Sequence, residues 1–191
     1  VPLPVELDWQ NVTDRTYGDS KTVTATVSNK YGNDDVSVTV EDGGETAVGT
    51  YTAKATGLTG AQADNYKLAG NQTQEYAIGK KSIAIPAEKT TKFTYNGAEQ
   101  TYMTSSADYT VSGNVQKDAG TYTVTAALRD KVNTQWVGGE IGDLTYSFKI
   151  DPKPVTVTAK DQVTRIGQPL AALTYTCDPA PYAGDPFTGK L

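Results

Sequence analysis

The chain has 191 residues with 22 acidic side chains, 17 basic side chains and no histidine, which gives a formal net charge of −5 at pH 7. This acidic balance argues against nucleic-acid binding, because a nucleic-acid-binding protein needs a basic surface to neutralise phosphates. The lack of histidine excludes Ser-His-Asp and Cys-His catalytic arrangements and histidine metal ligands. No run approaches the roughly 20 apolar residues of a membrane-spanning helix, and the N-terminus lacks a signal-peptide pattern, so we expect a soluble region excised from a longer precursor.

Strands are predicted along most of the chain, because apolar and polar residues alternate with period two. Thr, Val and Tyr dominate these runs and fit a pleated, half-buried surface. The clearest runs are residues 21–27, 36–40, 120–126 and 155–159. Turn residues separate the runs, at residues 32–34, 42–44, 69–71, 112–114 and 138–139. Only residues 60–66 have a helical pattern, and we therefore predict an all-β fold.

One phrase occurs twice in the chain. Residues 48–55 read VGTYTAKA and residues 119–126 read AGTYTVTA, and the matching glycines, Gly49 and Gly120, are 71 positions apart. That spacing is too long for a solenoid unit and suits a small domain copied in tandem. Other landmarks recur in the same order: Tyr17-Gly18 with Tyr95-Asn96-Gly97, Asn65-Tyr66 with Asn133 and Trp136, and Glu75-Tyr76-Ala77-Ile78 with Tyr146-Ser147-Phe148-Lys149-Ile150.

Two short linkers follow these paired segments and divide the chain. Gly79-Lys80-Lys81 precedes a new β-rich start, and so does Asp151-Pro152-Lys153-Pro154. The predicted domains are therefore residues 1–80, residues 81–152, and a third unit of residues 153–191 that is cut off about halfway. Units of about 70 residues with short strands suggest tandem small β-sandwich (immunoglobulin-like) or β-grasp-like modules, placed end to end.

The repeated phrase is interpreted as a core strand and its entry. Tyr122, Val124 and Ala126 should point to one face of the strand, with the tyrosine hydroxyl reaching a backbone partner at the rim. Tyr51 and Tyr122 should then occupy equivalent buried positions. Gly49 and Gly120 are expected to allow a tight turn with positive φ before the strand.

Short motifs resemble repeats of bacterial surface proteins over essentially the whole chain. Residues 17–19, 48–51 and 63–68 resemble the YDG-type repeat, and residues 93–97, 117–122, 133–136 and 146–150 resemble a related bacterial immunoglobulin-like repeat. Residues 155–161, 173–176 and 185–189 are similar to the start of the MBG ("mostly bacterial immunoglobulin-like") repeat, with Arg165-Ile166-Gly167 where that pattern has Tyr-Gly. The resemblance implies a large secreted or wall-attached bacterial protein of tandem modules, with adhesin-like or spacer roles and no shared active site.

Several side chains outside the repeated motifs could in principle form a catalytic, metal-binding or sugar-binding site. The acidic residues Asp34, Asp35, Glu41, Asp42 and Glu140 could form a glycosidase pair or, beside Asn33 and Asn71, a calcium site, but acidic side chains in turns are mostly solvated. Asn11-Val12-Thr13 and Asn71-Gln72-Thr73 fit the glycosylation acceptor pattern, which a Thr-rich chain produces by chance. Cys177 is interpreted as a small, partly buried residue. Trp136 is expected to cap the core of the second unit and Trp9 to pack near the first strand, rather than to form a sugar-stacking platform.

The sequence therefore predicts a structural protein rather than an enzyme. No catalytic, cofactor-binding or metal-binding residue is predicted, and no cofactor. We expect the stalk or spacer of an adhesin-like protein that is extracellular, at the bacterial cell surface or in the cell wall. Its expected partners are the neighbouring repeats of the same chain. The alternative is a module that binds a host glycan or protein through loops at one end of a sandwich. An exposed coplanar pair of aromatic rings would favour that alternative.

Overall fold

The structure is a computed structural model that describes residues 1–70 and 72–185. It confirms the predicted all-β fold: within those ranges the one helical segment is the 3₁₀ turn Ala63–Asn65, inside the stretch 60–66. The strands are β1 (Leu3–Val5), β2 (Leu7–Gln10), β3 (Arg15–Thr16), β4 (Thr24–Val27), β5 (Ser37–Glu41), β6 (Gly49–Thr59), β7 (Tyr66–Leu68), β8 (Thr73–Gly79), β9 (Lys81–Ile83), β10 (Phe93–Thr94), β11 (Gln100–Thr101), β12 (Tyr109–Ser112), β13 (Val115–Gln116), β14 (Gly120–Leu128), β15 (Thr134–Trp136), β16 (Leu144–Asp151), β17 (Thr156–Ala159) and β18 (Tyr175–Asp178).

Two four-stranded sheets have the same pairing scheme. The strand order is β3-β8-β6-β5 in the first sheet and β10-β16-β14-β12 in the second. In the first sheet, the two-residue strand β3 pairs in parallel with β8, and β8 pairs antiparallel with β6. In the second sheet, the two-residue strand β10 pairs in parallel with β16, and β16 pairs antiparallel with β14. A small parallel pair also occurs twice, as β1 with β7 and as β9 with β15. These strand pairings therefore occur once in residues 1–79 and once in residues 81–151, and we call these two ranges the first and second copies.

The long antiparallel pair has the same register in both copies. The glycine of each repeated phrase lies opposite an isoleucine, and the tyrosine two residues later lies opposite another aromatic residue. These partners are Gly49 with Ile78 and Tyr51 with Tyr76 in the first copy, and Gly120 with Ile150 and Tyr122 with Phe148 in the second. The similarity of the two phrases is thus a similarity of position in the sheet.

Contacts between residues divide the chain into two compact units. One consists of Val1–Ile85 with Leu128–Gly142, and the other of Pro86–Ala127 with Asp143–Leu191. The strands β9 and β15 of the second copy therefore belong to the first unit. The predicted boundaries after residues 80 and 152 stay a prediction.

Alternating burial accounts for the cores, as the sequence pattern predicts. Along β14 the side chains of Val124 and Ala126 are fully buried on the face that also carries Tyr122, while Thr121 and Thr123 are exposed. The core of the second unit contains Tyr102, Met103, Val124, Phe148 and Ile150. The first unit contains two clusters: Val5, Val27, Val36 and Tyr66 form one, and Val23, Ala53, Tyr76 and Ile78 form the other.

Candidate functional site

A tyrosine in each copy returns its hydroxyl to the backbone four residues earlier. Tyr51 Oη donates a hydrogen bond to the carbonyl oxygen of Ala47 over 3.1 Å, and Tyr122 Oη donates to that of Asp118 over 2.9 Å. Such a contact also closes strand corners in β-sandwiches. The two tyrosines are equivalent, as predicted, but both are partly rather than fully buried, since the hydroxyl must stay at the rim to reach the loop.

The glycine before each tyrosine has a role that differs from the predicted one. Neither Gly49 nor Gly120 has a positive φ, so the expectation of a left-handed turn is wrong. Instead, a Cβ on Gly49 would lie 3.0 Å from Cζ and Oη of Tyr51, and a Cβ on Gly120 would lie 3.1 Å from Oη of Tyr122. Glycine fits here because the tyrosine ring folds back over it, and a Cβ would force the ring to shift by a few tenths of an ångström.

Arg15 of β3 is a buried cation that the sequence analysis did not single out. Its side chain is 4 % exposed, and its Nη atoms donate to the carbonyl oxygens of Lys21 (2.6 Å), Glu45 (3.1 Å) and Gly43 (3.4 Å). Its guanidinium carbon lies 4.9 Å from the ring centroid of Tyr76. Because five donors in a rigid fork can satisfy several carbonyls, Arg15 holds two loops against the sheet.

A second polar cluster surrounds Asn133, in the part of the second copy that belongs to the first unit. Asn133 Oδ1 accepts from the backbone N–H of Val48 (3.2 Å), and its Nδ2 donates to Asp130 Oδ2 (2.9 Å). Lys80 Nζ donates to the carbonyl oxygen of Lys131 over 2.6 Å. The hydrogen bonds from Asn133 lower the pKa of the Asp130 carboxyl below its usual value. These contacts fasten the loop 130–133 to the first copy, and we call them the first junction.

The third cluster joins Tyr95, the residue after β10, to the segment after β18, within the second unit. Tyr95 Oη donates a short hydrogen bond to Asp185 Oδ2. This bond to a carboxylate, with burial and the negative charge of Asp185 adding to it, raises the pKa of Tyr95 to about 12. The rings of Tyr95 and Tyr182 meet edge to face, with centroids 5.8 Å apart and planes at 76°.

Lys153 completes this cluster, which we call the second junction. Its Nζ donates to Tyr182 Oη over 3.0 Å and lies 4.1 Å from the centroid of the same ring. The ring in turn packs on Gly97, where an added Cβ would come within 2.9 Å of Tyr182 Cγ. A depression of about 130 Å³ lies between these side chains and Pro181. The Lys153 side chain of the Pro-Lys-Pro linker is thereby held by Tyr182.

The chemistry available at the second junction is that of a clamp. A phenol whose pKa is about 12 stays protonated at neutral pH, so Tyr95 is a hydrogen-bond donor to Asp185 there. The carboxylate of Asp185 accepts the hydrogen of Tyr95, and the ammonium of Lys153 is held by Tyr182. Each polar group therefore has a structural partner in this cluster.

Among the acidic residues considered from the sequence, Glu41 ends β5, and the others lie outside the strands. Asp34 Oδ2 accepts from Tyr66 Oη over 2.6 Å, which raises the pKa of that phenol, and Asp35 Oδ2 accepts from the backbone N–H of Ala61. Asp42 has a φ of 55° in a turn, and its carbonyl oxygen accepts from Tyr76 Oη. Within the described ranges, no three acidic or cysteine side chains come together to hold a metal ion.

The remaining candidates are placed as follows. Trp136 is fully buried and donates Nε1–H to the carbonyl oxygen of Gly142, and Trp9 packs partly buried against the cluster around Tyr76. Cys177 is a partly buried free thiol. Asn11 Nδ2 donates to the carbonyl oxygen of Thr22, while Asn71 and residues 186–189 lie outside the described residues. Trp136 is thus buried within the first unit, outside the two hydrophobic clusters described above, rather than in the core of the second unit.

No protein-family model matches the chain, and no curated protein or solved structure was found to be similar to it. The described residues contain no helix that is long and apolar enough to span a membrane.

Proposed function

We propose that the chain is a load-bearing spacer: a tandem-repeat stalk region of an extracellular or cell-surface bacterial protein with adhesin-like organisation, without catalysis of its own. The observation that carries this proposal is that, in each four-stranded sheet, the strand that comes first along the chain pairs in parallel with the strand that comes last along the chain. Arg15–Thr16 pairs with Ile78–Gly79, and Phe93–Thr94 pairs with Ile150–Asp151.

Parallel pairing of this kind determines how a pulling force reaches the hydrogen bonds. A force on the two chain ends draws an early strand towards its N-terminus and a late strand towards its C-terminus. Because the two strands are parallel, this loads their evenly spaced hydrogen bonds together in shear. The backbone N–H of Tyr17 adds a bond to Gly79 (2.9 Å), and that of Tyr95 adds the equivalent bond to Asp151 (2.8 Å).

The two junctions support the same proposal. A spacer keeps a fixed reach only if its linkers do not act as free hinges. The first junction fixes the loop 130–133 through Asn133, and the second ties the Pro152-Lys153-Pro154 linker through Lys153. Proline also restricts the backbone of that linker.

The alternative of glycan binding depends on a flat aromatic surface. Tyr95 and Tyr182 are one aromatic pair next to a depression, and their planes are inclined by 76°. Stacking on a sugar ring would need one open face shared by both rings. The geometry of this pair therefore favours the clamp over a sugar platform.

Single-molecule pulling tests the proposal. Tyr17→Pro removes the N–H that bonds Gly79, whereas Tyr17→Ala removes the same side chain and keeps that N–H, so the second variant is the matched control. We expect the proline variant to unfold at a clearly lower force than the alanine variant, because forced unfolding follows the unfolding barrier. Equal unfolding forces for the two variants, or micromolar binding of a defined glycan by the purified chain, would count against the spacer.

A further inference from the structure

Large exposed apolar side chains are concentrated in the last part of the described chain. They are Val157, Val163, Ile166, Leu170, Leu173, Tyr175 and Tyr182. Within the part of the chain that the structure describes, the strands β17 and β18 pair only with each other, and all their residues are exposed except the partly buried Cys177. A two-stranded pair alone is marginally stable in water, so this hairpin needs something to cover it.

The register of this hairpin repeats that of β2 and β4. In the first copy Leu7 lies opposite Val27 and Trp9 lies opposite Ala25. In the hairpin the partners are Val157 with Cys177 and Ala159 with Tyr175. On both strands, the number of each hairpin residue is 150 higher than that of its counterpart in β2 or β4.

Two turns repeat as well. The backbone N–H of Asp19 donates to Thr16 over 2.9 Å beside Gly18 at φ +85°, and that of Gln168 donates to Arg165 over 3.0 Å beside Gly167 at φ +84°. After the second strand, Asp34 N donates to Tyr31 O, and Asp185 N donates to Tyr182 O, both over 3.1 Å. Residues 155–185 therefore repeat the backbone arrangement of residues 5–34.

The first copy shows what covers this arrangement. Val27, the counterpart of Cys177, is 6 % exposed because it packs with Val5, Val36 and Tyr66. Further cover comes from Val38, Leu58 and Leu68, on β5, β6 and β7. Val157, the counterpart of the half-covered Leu7, is 48 % exposed.

We propose that the apolar face of β17 and β18 is a docking surface for a β-segment of the repeat's own type, continuing in the same polypeptide from Asp185 with the pattern of residues 35–79. The same polypeptide is the favoured source, because the strands that cover Val27 in the first copy follow it directly along the chain. Asp185 accepts a hydrogen bond from the hydroxyl of Tyr95, and its counterpart Asp34 accepts a hydrogen bond from the hydroxyl of Tyr66. The inference rests on the proposed function only in treating the chain as an array of repeats.

Cys177 provides the readout of a direct test. In an extended chain, residues 35–79 are placed after Asp185 instead of residues 186–191, and the rate of thiol modification by Ellman's reagent is measured. Docking should slow the reaction of Cys177 by about tenfold or more, because the thiol then reacts only after local opening. The matched control carries the same segment with Val38, Leu58 and Leu68 changed to serine. Its Cys177 should react at the same rate as Cys177 of the original chain. A second extended chain uses residues 108–151 of the second copy instead.

The outcomes separate this inference from the spacer proposal, which is tested by pulling. Protection of Cys177 in either extended chain, without protection in the serine control, supports the docking surface. The docking surface is refuted if Cys177 reacts in both extended chains as fast as in the original chain while circular dichroism shows that the β-structure is retained. A concentration-dependent dimer of the original chain with a protected thiol also overturns it, because a second copy would then be the cover.

Discussion

The ring of Tyr51 folds back over Gly49, so that a Cβ on the glycine would lie 3.0 Å from both Cζ and Oη of the tyrosine. We expect Gly49→Ala to destabilise the protein by about 1–2 kcal/mol, because the ring must shift to make room. Gly57→Ala is the matched control in the same strand, since no atom lies within 4 Å of its added Cβ. Thermal unfolding of both variants checks this, and an equal effect at the two glycines would refute it.

The hydroxyl contact of each repeated tyrosine should have a measurable effect of its own. Tyr51→Phe and Tyr122→Phe each remove one hydrogen bond to a loop carbonyl, and each should cost about 1 kcal/mol in the free energy of unfolding. Tyr122→Ala should cost about 2–4 kcal/mol, below a fully buried aromatic, because its ring is partly exposed. Denaturant titration measures all three, and a stability unchanged by Tyr122→Ala would contradict the structural role of the repeated phrase.

Arg15 should be the most sensitive charged residue of the first copy. Arg15→Met leaves three loop carbonyls without their donor, so we expect a loss of about 2–4 kcal/mol. Arg15→Lys keeps the charge but not the planar fork, and its loss should be smaller. If the methionine variant unfolds at the wild-type temperature, the stabilising role of Arg15 is wrong.

The second junction predicts a pH dependence at alkaline pH. The pKa of Tyr95 is raised to about 12 from an ordinary value of 10.0. A raised pKa in the folded state means that this contribution is complete below pH 10 and is lost as pH rises through about 12. In the ultraviolet difference between wild type and Tyr95→Phe, the phenolate signal should therefore appear near pH 12. Asp185→Asn should move that signal to lower pH, and a signal near pH 10 in the wild type would show that the hydrogen bond is absent in solution.

The sequence predicted the features that depend on periodicity and repetition. Alternating residues 120–126 gave the buried face of β14, and the two GTYT phrases gave the equivalence of Tyr51 and Tyr122. The role of Gly49 was missed, because a ring contact two residues away leaves no trace in composition. The role of Arg15 was missed because it depends on loop carbonyls up to 30 residues distant in sequence. The same holds for Tyr95 and Asp185, which are 90 residues apart.

The parallel pairing of strands is proposed to make the chain resist a force applied to its two ends, and a change in the direction of pulling tests this proposal. One arrangement pulls the full chain from its two ends. The other pulls on cysteines placed at Glu41 and Lys54, which face each other across β5 and β6, in a chain where Cys177 is serine. This second arrangement opens the antiparallel bonds one after another. We predict a severalfold higher unfolding force for end-to-end pulling, and an equal or lower force in that direction would contradict the load-bearing account.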